Sequence, residues 1–288
     1  MSRWLTIVAD DYGIGPETSR GILDLAKEGV ITASVAIINC ADVPRAIEEW
    51  KKAAPKADLG WHPNLTLDAP VCKAEEVPSL VRPDGTFWPL NSFLKRICMG
   101  KIQHDDVYRE WSAQYQRFID LVGYPPLVVN SHQHVSLFPP ADKALLKILG
   151  KQTPRPYLRR VVERFRPLFS VPGARIKRMV LSTLGSRVAR KARKMGLSGS
   201  RQLIGVTDHG CVTDERFWTR WLGKTSRRGS IEICCHPGYY DTTLTDRDCD
   251  AEEGLLRRPR ETDLLRRPDF REAIAHAGLV PVRPSQLI

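Results

Sequence analysis

Apolar and polar positions alternate along the chain in blocks that predict strands and helices in turn. The apolar run Trp4 to Ala9 predicts a buried strand, and Pro16 suits the first turn of a helix that ends near Gly29. A β-rich run at Ser34 to Asn39 and a helical pattern at Val43 to Ala53 repeat this unit. The first part of the chain is therefore predicted to be strand, helix, strand, helix.

The same alternation continues to the C-terminus. A helix with apolar residues at helical spacing is predicted to end at Gly123. Further strands are predicted at Asp58 to Trp61, Leu127 to Val129, Tyr157 to Arg160, Leu203 to Val206, Ile231 to Cys235 and Leu279 to Val282. This pattern is typical of an α/β fold with a mostly parallel sheet, either an open doubly wound sheet or a barrel.

Two Pro/Arg-rich patches interrupt the alternation. They lie at Pro154 to Pro167 and Leu255 to Pro268, and their composition predicts loops or helix junctions. Neither has the composition of a domain linker. We therefore expect one domain over residues 1–288.

Polar side chains follow four of the predicted strands at the point where each strand ends. In a parallel sheet or barrel, functional groups collect at the carboxyl ends of the strands, so we expect these side chains to lie together. They are Asp10 and Asp11, His62, His132 and His134, and His236. His104, His209 and His276 fall in surface or helical contexts and receive no role.

This set of residues has the chemistry of a catalytic metal site. Two imidazoles and one carboxylate bind a divalent metal and leave positions open for water and substrate. The adjacent carboxylates Asp10 and Asp11 can divide two roles, one binding the metal and the other accepting a proton from water. The alternative is structural, because an Asp pair after a strand also forms helix caps and turns, and His236 before Pro237 can simply end a strand.

Two rival functions remain open at this point. Two His and one carboxylate also bind Fe(II) in oxygenases, although an oxygenase has no need of the second carboxylate. A non-catalytic module that binds membranes or nucleic acids is the other rival.

The formal charge of +11 comes from one segment of the chain. Residues 151–200 contain 14 Lys or Arg and the single acid Glu163, whereas the rest of the chain is close to neutral. Such an insertion-like segment, basic and interleaved with apolar residues, suits a peripheral contact with an anionic membrane. A solvated helix face is the preferred interpretation of the same residues. Nucleic-acid binding is not expected, because no helix-turn-helix, RNA-recognition or zinc-finger signature is present.

Cysteine usage and apolar patterning bear on location. The seven cysteines show no disulfide spacing, so we expect them to be reduced, and the adjacent Cys234 and Cys235 to be buried strand residues instead of nucleophiles. The N-terminus lacks the ordered regions of a signal peptide, and no apolar run reaches the length of a membrane span. We expect a cytoplasmic protein, with membrane contact limited to the inner surface.

Four segments in order resemble the YdjC-like carbohydrate deacetylases, a family that includes a chitooligosaccharide deacetylase and a hopanoid-associated member. The resemblance runs from about Thr6 to Leu287. It is carried by Ala9-Asp10-Asp11-Tyr12-Gly13, Gly60-Trp61-His62-Pro63-Asn64-Leu65, Ser131-His132-Gln133-His134-Val135 and Cys235-His236-Pro237-Gly238.

The resemblance implies a distorted (β/α) TIM-like barrel that removes an N-acetyl group from a carbohydrate or glycolipid. It implies one divalent metal, Mg²⁺ in most of the family, with Zn²⁺ chemically compatible. By the same likeness Asp11, His62 and His132 are the metal ligands. Asp10 is then the base, and His236 is an acid or an oxyanion stabiliser.

The resemblance also indicates substrate contacts and two departures. Tyr157-Leu158-Arg159 resembles a family strand whose arginine lies near the substrate, so Arg159 and His134 are candidates for substrate binding. Asn130 stands where the family often has Asp, and Ser136 where it often has His. Asn130 cannot supply a negative charge behind the metal ligands, which bears on metal affinity and substrate choice.

Overall fold

Every strand of the fold belongs to one parallel sheet. The computed structural model describes residues 3–208, 211–212, 214–225, 229–248 and 252–288, without the side chains of 165–167, 252 and 253. Within these residues the strands are β1 (Arg3–Tyr12), β2 (Ala33–Ala36), β3 (Asp58–Trp61), β4 (Val128–Val129), β5 (Tyr157–Leu158), β6 (Gln202–Ile204), β7 (Ile231–Cys235) and β8 (Leu279–Pro281). Each overlaps a strand predicted from the sequence, so the predicted set of strands is confirmed.

The sheet is a half-barrel centred on β1. Its strand order is β5-β4-β3-β2-β1-β7-β6, and β8 also pairs with β1. All of these pairings are parallel, so the carboxyl ends of the strands point the same way. The edge strands β5 and β6 do not pair with each other within the described residues. The fold is thus a distorted TIM-like barrel, as the resemblance implies.

Helices connect the strands and cover the sheet. They are α1 (Pro16–Lys27), α2 (Val43–Ala53), α3 (Leu90–Cys98), α4 (His104–Val122), α5 (Ala141–Leu149), α6 (Phe165–Ser170), α7 (Arg175–Lys194), α8 (Phe217–Leu222), α9 (Glu252–Arg266) and α10 (Pro268–His276). Proline stands in the first turn of α1, α2 and α10, where its missing N–H costs no helical hydrogen bond. Gly123 ends α4 in the left-handed conformation at φ 95°, which glycine adopts without steric penalty.

Two local predictions are wrong. Strand β1 does not end at Ala9 but continues through Asp10 and Asp11 to Tyr12, with a register shift against β2 between Ala9 and Tyr12. The patch Leu255 to Pro268 is mainly helical, because α9 runs to Arg266 with Pro259 inside it. Its apolar periodicity is weak since polar residues occupy the buried side of the helix: Arg258, Glu261 and Thr262.

The basic segment contributes both to the sheet and to the helical layer. It supplies the strand β5 and the helices α6 and α7. No helix in the described part of the chain is long and apolar enough to cross a membrane. The six described cysteines are free, and Cys234 and Cys235 are buried in β7 as predicted, while Cys249 lies outside the described residues.

Candidate active site and metal centre

A cavity of about 210 Å³ opens at the carboxyl ends of the strands. It brings together side chains at the end of β1 and just after β3, β4 and β7, together with side chains from α7 and α9. The polar residues that line it are Asp10, Asp11, His62, Ser131, His132, Gln133, His134, Lys177, Thr207, His236, Asp248, Arg257 and Arg258. His209 lies outside the described residues.

Three buried side chains in this cavity share one small space. Asp11 Oδ1 lies 3.3 Å from His62 Nε2 and 3.0 Å from His132 Nδ1. One ligand atom from each residue lies within 4.8 Å of the others. Ligand atoms that surround one ion at about 2.1 Å are themselves roughly 3 Å apart, so these three residues could hold a metal ion.

Local backbone geometry delivers these three residues. Asp11 has φ 70°, a left-handed conformation that Asp tolerates better than most residues, and it coincides with the register shift in β1. His62 follows β3 directly, and its N–H donates to Ala36 O at 2.9 Å. His132 begins a 3₁₀ turn, and its N–H donates to Pro63 O at 3.0 Å.

Asn130 orients two functional residues at once. Its backbone oxygen lies 2.8 Å from His62 Nδ1, so that nitrogen donates and Nε2 presents its lone pair to Asp11 and the cavity. Its side-chain amide donates to Asp10 Oδ1 at 3.3 Å. An aspartate at this position would place a second negative charge against Asp10, whereas the amide of Asn130 stabilises the charge already there.

The second departure from the family pattern has a structural role. The Ser131 and Ser136 hydroxyls are 2.7 Å apart, and Ser136 N donates to Ser131 Oγ at 3.0 Å. These contacts close the turn that holds His132. Ser136 is buried and is not among the residues that line the cavity.

The donor set fits a divalent metal. His132 Nε2 is buried and has no hydrogen-bond partner within the described residues, and it lies 3.6 Å from Asp248 Oδ1. A buried imidazole nitrogen without a partner is costly unless an ion or water satisfies it. The His132 nitrogen that faces Asp11 is the other one, Nδ1, so His132 Nδ1, His62 Nε2 and Asp11 Oδ1 offer the nitrogen and oxygen donors of an open metal site.

Asp10 is a buried carboxylate that stays ionised. Burial favours its neutral form, but Arg159 outweighs this by donating from Nη1 to Oδ2 at 2.5 Å and from Nη2 to Oδ1 at 2.9 Å. The net effect holds the pKa of Asp10 well below its usual range. Arg159 is anchored in turn by Glu232, and Cys234 Sγ donates to Asp10 Oδ2 at 3.3 Å.

Asp11 also stays ionised. Its burial is offset by Arg258, which donates from Nη2 to Asp11 Oδ2 at 2.9 Å, and by His132, whose Nδ1 lies 3.0 Å from Oδ1. The pKa of Asp11 is therefore well below its usual range, and Oδ1 remains directed at His62 and His132. Arg258 also donates to Asp248 Oδ2 at 2.9 Å, so one guanidinium links Asp11 to Asp248, which precedes α9 in the chain.

His236 lies between Asp10 and helix α9. Its Nε2 is 3.9 Å from Asp10 Oδ2, and its Nδ1 is 3.3 Å from Arg257 Nη2. Its backbone N–H donates to Glu261 Oε2 at 2.5 Å, and Glu261 also accepts from Arg257 Nε at 2.8 Å. Burial and the Arg257 charge lower the pKa of His236 to about 4, so the ring is neutral at pH 7.

The cavity contains all but one of the residues selected from the sequence. His134 lines the cavity, and burial lowers its pKa to about 3. Arg159 does not line the cavity, because its buried guanidinium lies behind Asp10. A direct contact between Arg159 and substrate thus stays a prediction.

Sequence reasoning missed four charged residues of the cavity. These are Lys177, Asp248, Arg257 and Arg258. They come from α7, from α9 and from the loop before α9, not from strand ends. The one available signal was the run Arg257-Arg258 in a patch interpreted as a loop.

Three solved structures are similar to this chain, and the first of them has the same fold. A structure from Enterococcus faecalis V583, provisionally named a cellobiose-phosphate cleavage protein, is 25% identical with a TM-score of 0.77, over 100% of this chain and 99% of that one. The Bc1960 peptidoglycan N-acetylglucosamine deacetylase is 12% identical with a TM-score of 0.48, over 100% and 88% of the two chains. The Xyl-CE4 domain of a xylanase from the hindgut metagenome of Trinervitermes trinervoides is 10% identical with a TM-score of 0.47, over 100% and 90%.

The sequence profile described as YdjC-like protein matches residues 4–276, nearly the whole chain. The match includes all four segments that carried the resemblance. The chain belongs to the YdjC-like family.

Proposed function

We propose that this protein is a metal-dependent hydrolase that removes the N-acetyl group from a carbohydrate or glycolipid. One observation carries the proposal: the ionised carboxylate of Asp10 faces the same cavity as the Asp11, His62 and His132 triad. A carboxylate beside a metal site is the arrangement that activates water for attack on an amide. Membership of the YdjC-like family supports a carbohydrate substrate.

The triad would hold the metal ion that acts as the Lewis acid in this reaction. A divalent ion held by Asp11, His62 and His132 would polarise the acetyl carbonyl and make water a stronger acid. Two imidazole nitrogens and one carboxylate oxygen suit Zn²⁺ and similar ions, whereas Mg²⁺ is bound mainly through oxygen. Tests of activity should therefore include zinc as well as the Mg²⁺ implied by the resemblance.

Asp10 is the proposed proton carrier. Arg159 keeps it ionised, so it is available to accept a proton from the attacking water at neutral pH. The same ion pair makes Asp10 a weak base, which is effective only when the water is already acidified. When the C–N bond breaks, Asp10 passes that proton to the leaving amine, and acetate carries the oxygen of the water.

His236 is the proposed hydrogen-bond donor to the oxyanion. It is neutral at pH 7, and its Nε2 lies 3.9 Å from Asp10 Oδ2 in the cavity. An N–H directed at the developing negative charge stabilises the tetrahedral transition state without transferring a proton. This assigns His236 the second of the two roles that the resemblance allows.

An acetate-release screen tests the function. The protein is loaded separately with Zn²⁺, Mg²⁺, Mn²⁺ or Fe²⁺ and given chitooligosaccharides, N-acetylglucosaminyl lipids and peptidoglycan fragments. We expect acetate and a free amine from at least one substrate, and their loss in Asp10→Asn. If oxygen is consumed with Fe²⁺ and no acetate appears, the site is an oxygenase. If the loaded protein binds these sugars but releases no acetate, it is a non-catalytic module.

A further inference from the structure

Helix α7 carries one continuous outer face with apolar residues at one end and cations at the other. Residues three, four or seven apart lie on one side of a helix, and this spacing links seven positions into a stripe. The α7 outer face consists of Ile176, Met179, Val180, Thr183, Arg190 and Lys194, whereas Arg187 at the same spacing is half-buried and paired with Asp142. Its apolar side chains are 77% exposed at Ile176, 49% at Met179 and 45% at Val180.

The opposite face of α7 fixes the helix to the body of the protein. Arg178, Leu181, Gly185, Val188, Ala189 and Ala192 are buried there. A Cβ at Gly185 would lie 1.8 Å from Val161 O, so the helix backbone approaches its neighbour as closely as glycine permits. Arg178 donates to Glu163 Oε2 at 2.8 Å. The outer face is thus presented on a firmly packed helix.

The apolar end of this face begins at the mouth of the cavity. Lys177, which lines the cavity, is next in sequence to Ile176. The cationic end contains the exposed Arg190 and Lys194, flanked by the exposed Arg193. Helix α7 contains no Asp or Glu to neutralise them.

We propose that the α7 outer face binds the surface of an anionic lipid bilayer. Apolar side chains insert at the boundary of headgroups and acyl chains, and Lys or Arg on the same face contact the anionic headgroups. A nucleic acid would contact the cationic end alone and leave Ile176, Met179 and Val180 exposed. Three apolar side chains are also far fewer than a stable protein interface requires.

This surface proposal is independent of the proposed reaction. It places the cavity mouth beside the bilayer, where an acetylated sugar attached to a lipid would reach Asp10 and the triad without leaving the membrane. Failure of vesicle binding would leave the hydrolase proposal intact. Failure of acetate release would not affect the proposal that the α7 outer face binds a membrane.

Co-sedimentation with vesicles tests the proposal. The full chain is mixed with phosphatidylcholine vesicles, with or without about one third phosphatidylglycerol, at low and at high salt. We expect binding to the anionic vesicles, weakened by salt because the headgroup attraction is screened. We expect Ile176→Ser with Met179→Ser and Val180→Ser to lower the partition coefficient at least about tenfold, and Arg190→Gln with Arg193→Gln and Lys194→Gln to do the same.

Matched variants elsewhere on the surface serve as controls. Met99→Ser with Val280→Ser and Ile288→Ser removes three other exposed apolar side chains, and Lys52→Gln with Lys56→Gln and Lys101→Gln removes equal charge. Both controls should bind as the wild type does. Equal vesicle binding by the wild type and by the Ile176, Met179 and Val180 triple variant would overturn the proposal. Two other results would overturn it. The first is a wild-type dimer, detected by light scattering, that the Ile176, Met179 and Val180 triple variant no longer forms, with no vesicle binding. The second is binding to duplex DNA without binding to vesicles.

Discussion

Arg257 Nη2 lies 3.3 Å from His236 Nδ1. A guanidinium has donors and no acceptor, so Nδ1 must accept and the ring proton must reside on Nε2, on the side of Asp10. Glu261 holds the arrangement by accepting from both the Arg257 side chain and the His236 backbone. Arg257 thus positions the proton that His236 offers to the cavity.

The first prediction concerns Arg257. In Arg257→Gln, loss of the neighbouring positive charge should raise the pKa of His236 from about 4 toward its usual 6.5. If neutral His236 is the active form, the acidic limit of kcat should move to higher pH, with kcat near pH 8 reduced much less. Arg257→Lys should largely restore the wild-type profile, because it returns the charge. An unchanged acidic limit in Arg257→Gln would contradict this role.

The second prediction concerns stability against pH. The pKa of His236 is depressed in the folded state, so the unfolded chain binds more protons between pH 6.5 and about 4. The free energy of unfolding should therefore fall as the pH drops through that window, by on the order of 1–2 kcal/mol from His236 after allowance for its 26% exposed ring. Urea unfolding of wild type and His236→Gln measures this. The variant should show a shallower slope, and equal slopes would contradict the assignment.

The third prediction concerns the metal ligands. Alanine at Asp11, His62 or His132 removes one direct bond to the ion, so each variant should lose metal content and turnover. Elemental analysis after metal loading checks this, with His104→Ala and His276→Ala as histidine controls away from the cavity. Full metal content in all three ligand variants would refute the triad as the metal site.

The fourth prediction concerns Asp10. Asp10→Asn keeps the size of the side chain but cannot accept a proton, so kcat should fall at least about 10²-fold with metal content retained. The control Asp105→Asn changes an exposed carboxylate in α4 and should leave kcat unchanged. A rate within a few-fold of wild type in Asp10→Asn would exclude Asp10 as the base.

The fifth prediction concerns Arg159. Arg159→Met leaves Asp10 and Glu232 buried without their cation, and breaking a buried ion pair in this way costs about 3–5 kcal/mol. Denaturant unfolding should show a loss of that size. Adding Glu232→Gln to Arg159→Met should recover part of it, because one uncompensated charge is then removed. No recovery in the double variant would place the cost in lost packing.

The strand ends were predictable because their signals are local. An apolar run followed directly by Asp or His identifies both the strand and the residue beyond it, which is why Asp10, Asp11, His62, His132 and His236 were selected correctly as neighbours. Arg257 and Arg258 gave no such signal. Their helix buries polar side chains in ion pairs with Glu261, Asp11 and Asp248, so its inner face lacks the apolar spacing from which helices are read.

Tertiary contacts account for the other differences. The positive φ of Asp11 could not be predicted from the sequence. Gly13 and Gly15 are stronger turn signals than Asp11, so the sequence places the turn just beyond it. The basic segment was recognised by charge, but the division of α7 into a packed face and an exposed face depends on which residues its neighbours cover. The roles of Asn130 and Ser136 likewise came from their contacts, not from their identities.

The left-handed backbone at Asp11 makes the three proposed metal ligands unequal as targets for protein engineering. Adjacent residues of a regular strand point to opposite faces, yet Asp10 and Asp11 both reach the same cavity, because Asp11 has a left-handed backbone and the pairing of β1 with β2 shifts register between Ala9 and Tyr12. At positions 62 and 132 the backbone has no positive φ and places no such restriction on a new ligand. At position 11 it must also tolerate φ 70°, which costs most residues about 1–2 kcal/mol and spares mainly Asn, Asp and Gly. Metal preference should therefore be easier to redesign at the two histidines than at the aspartate.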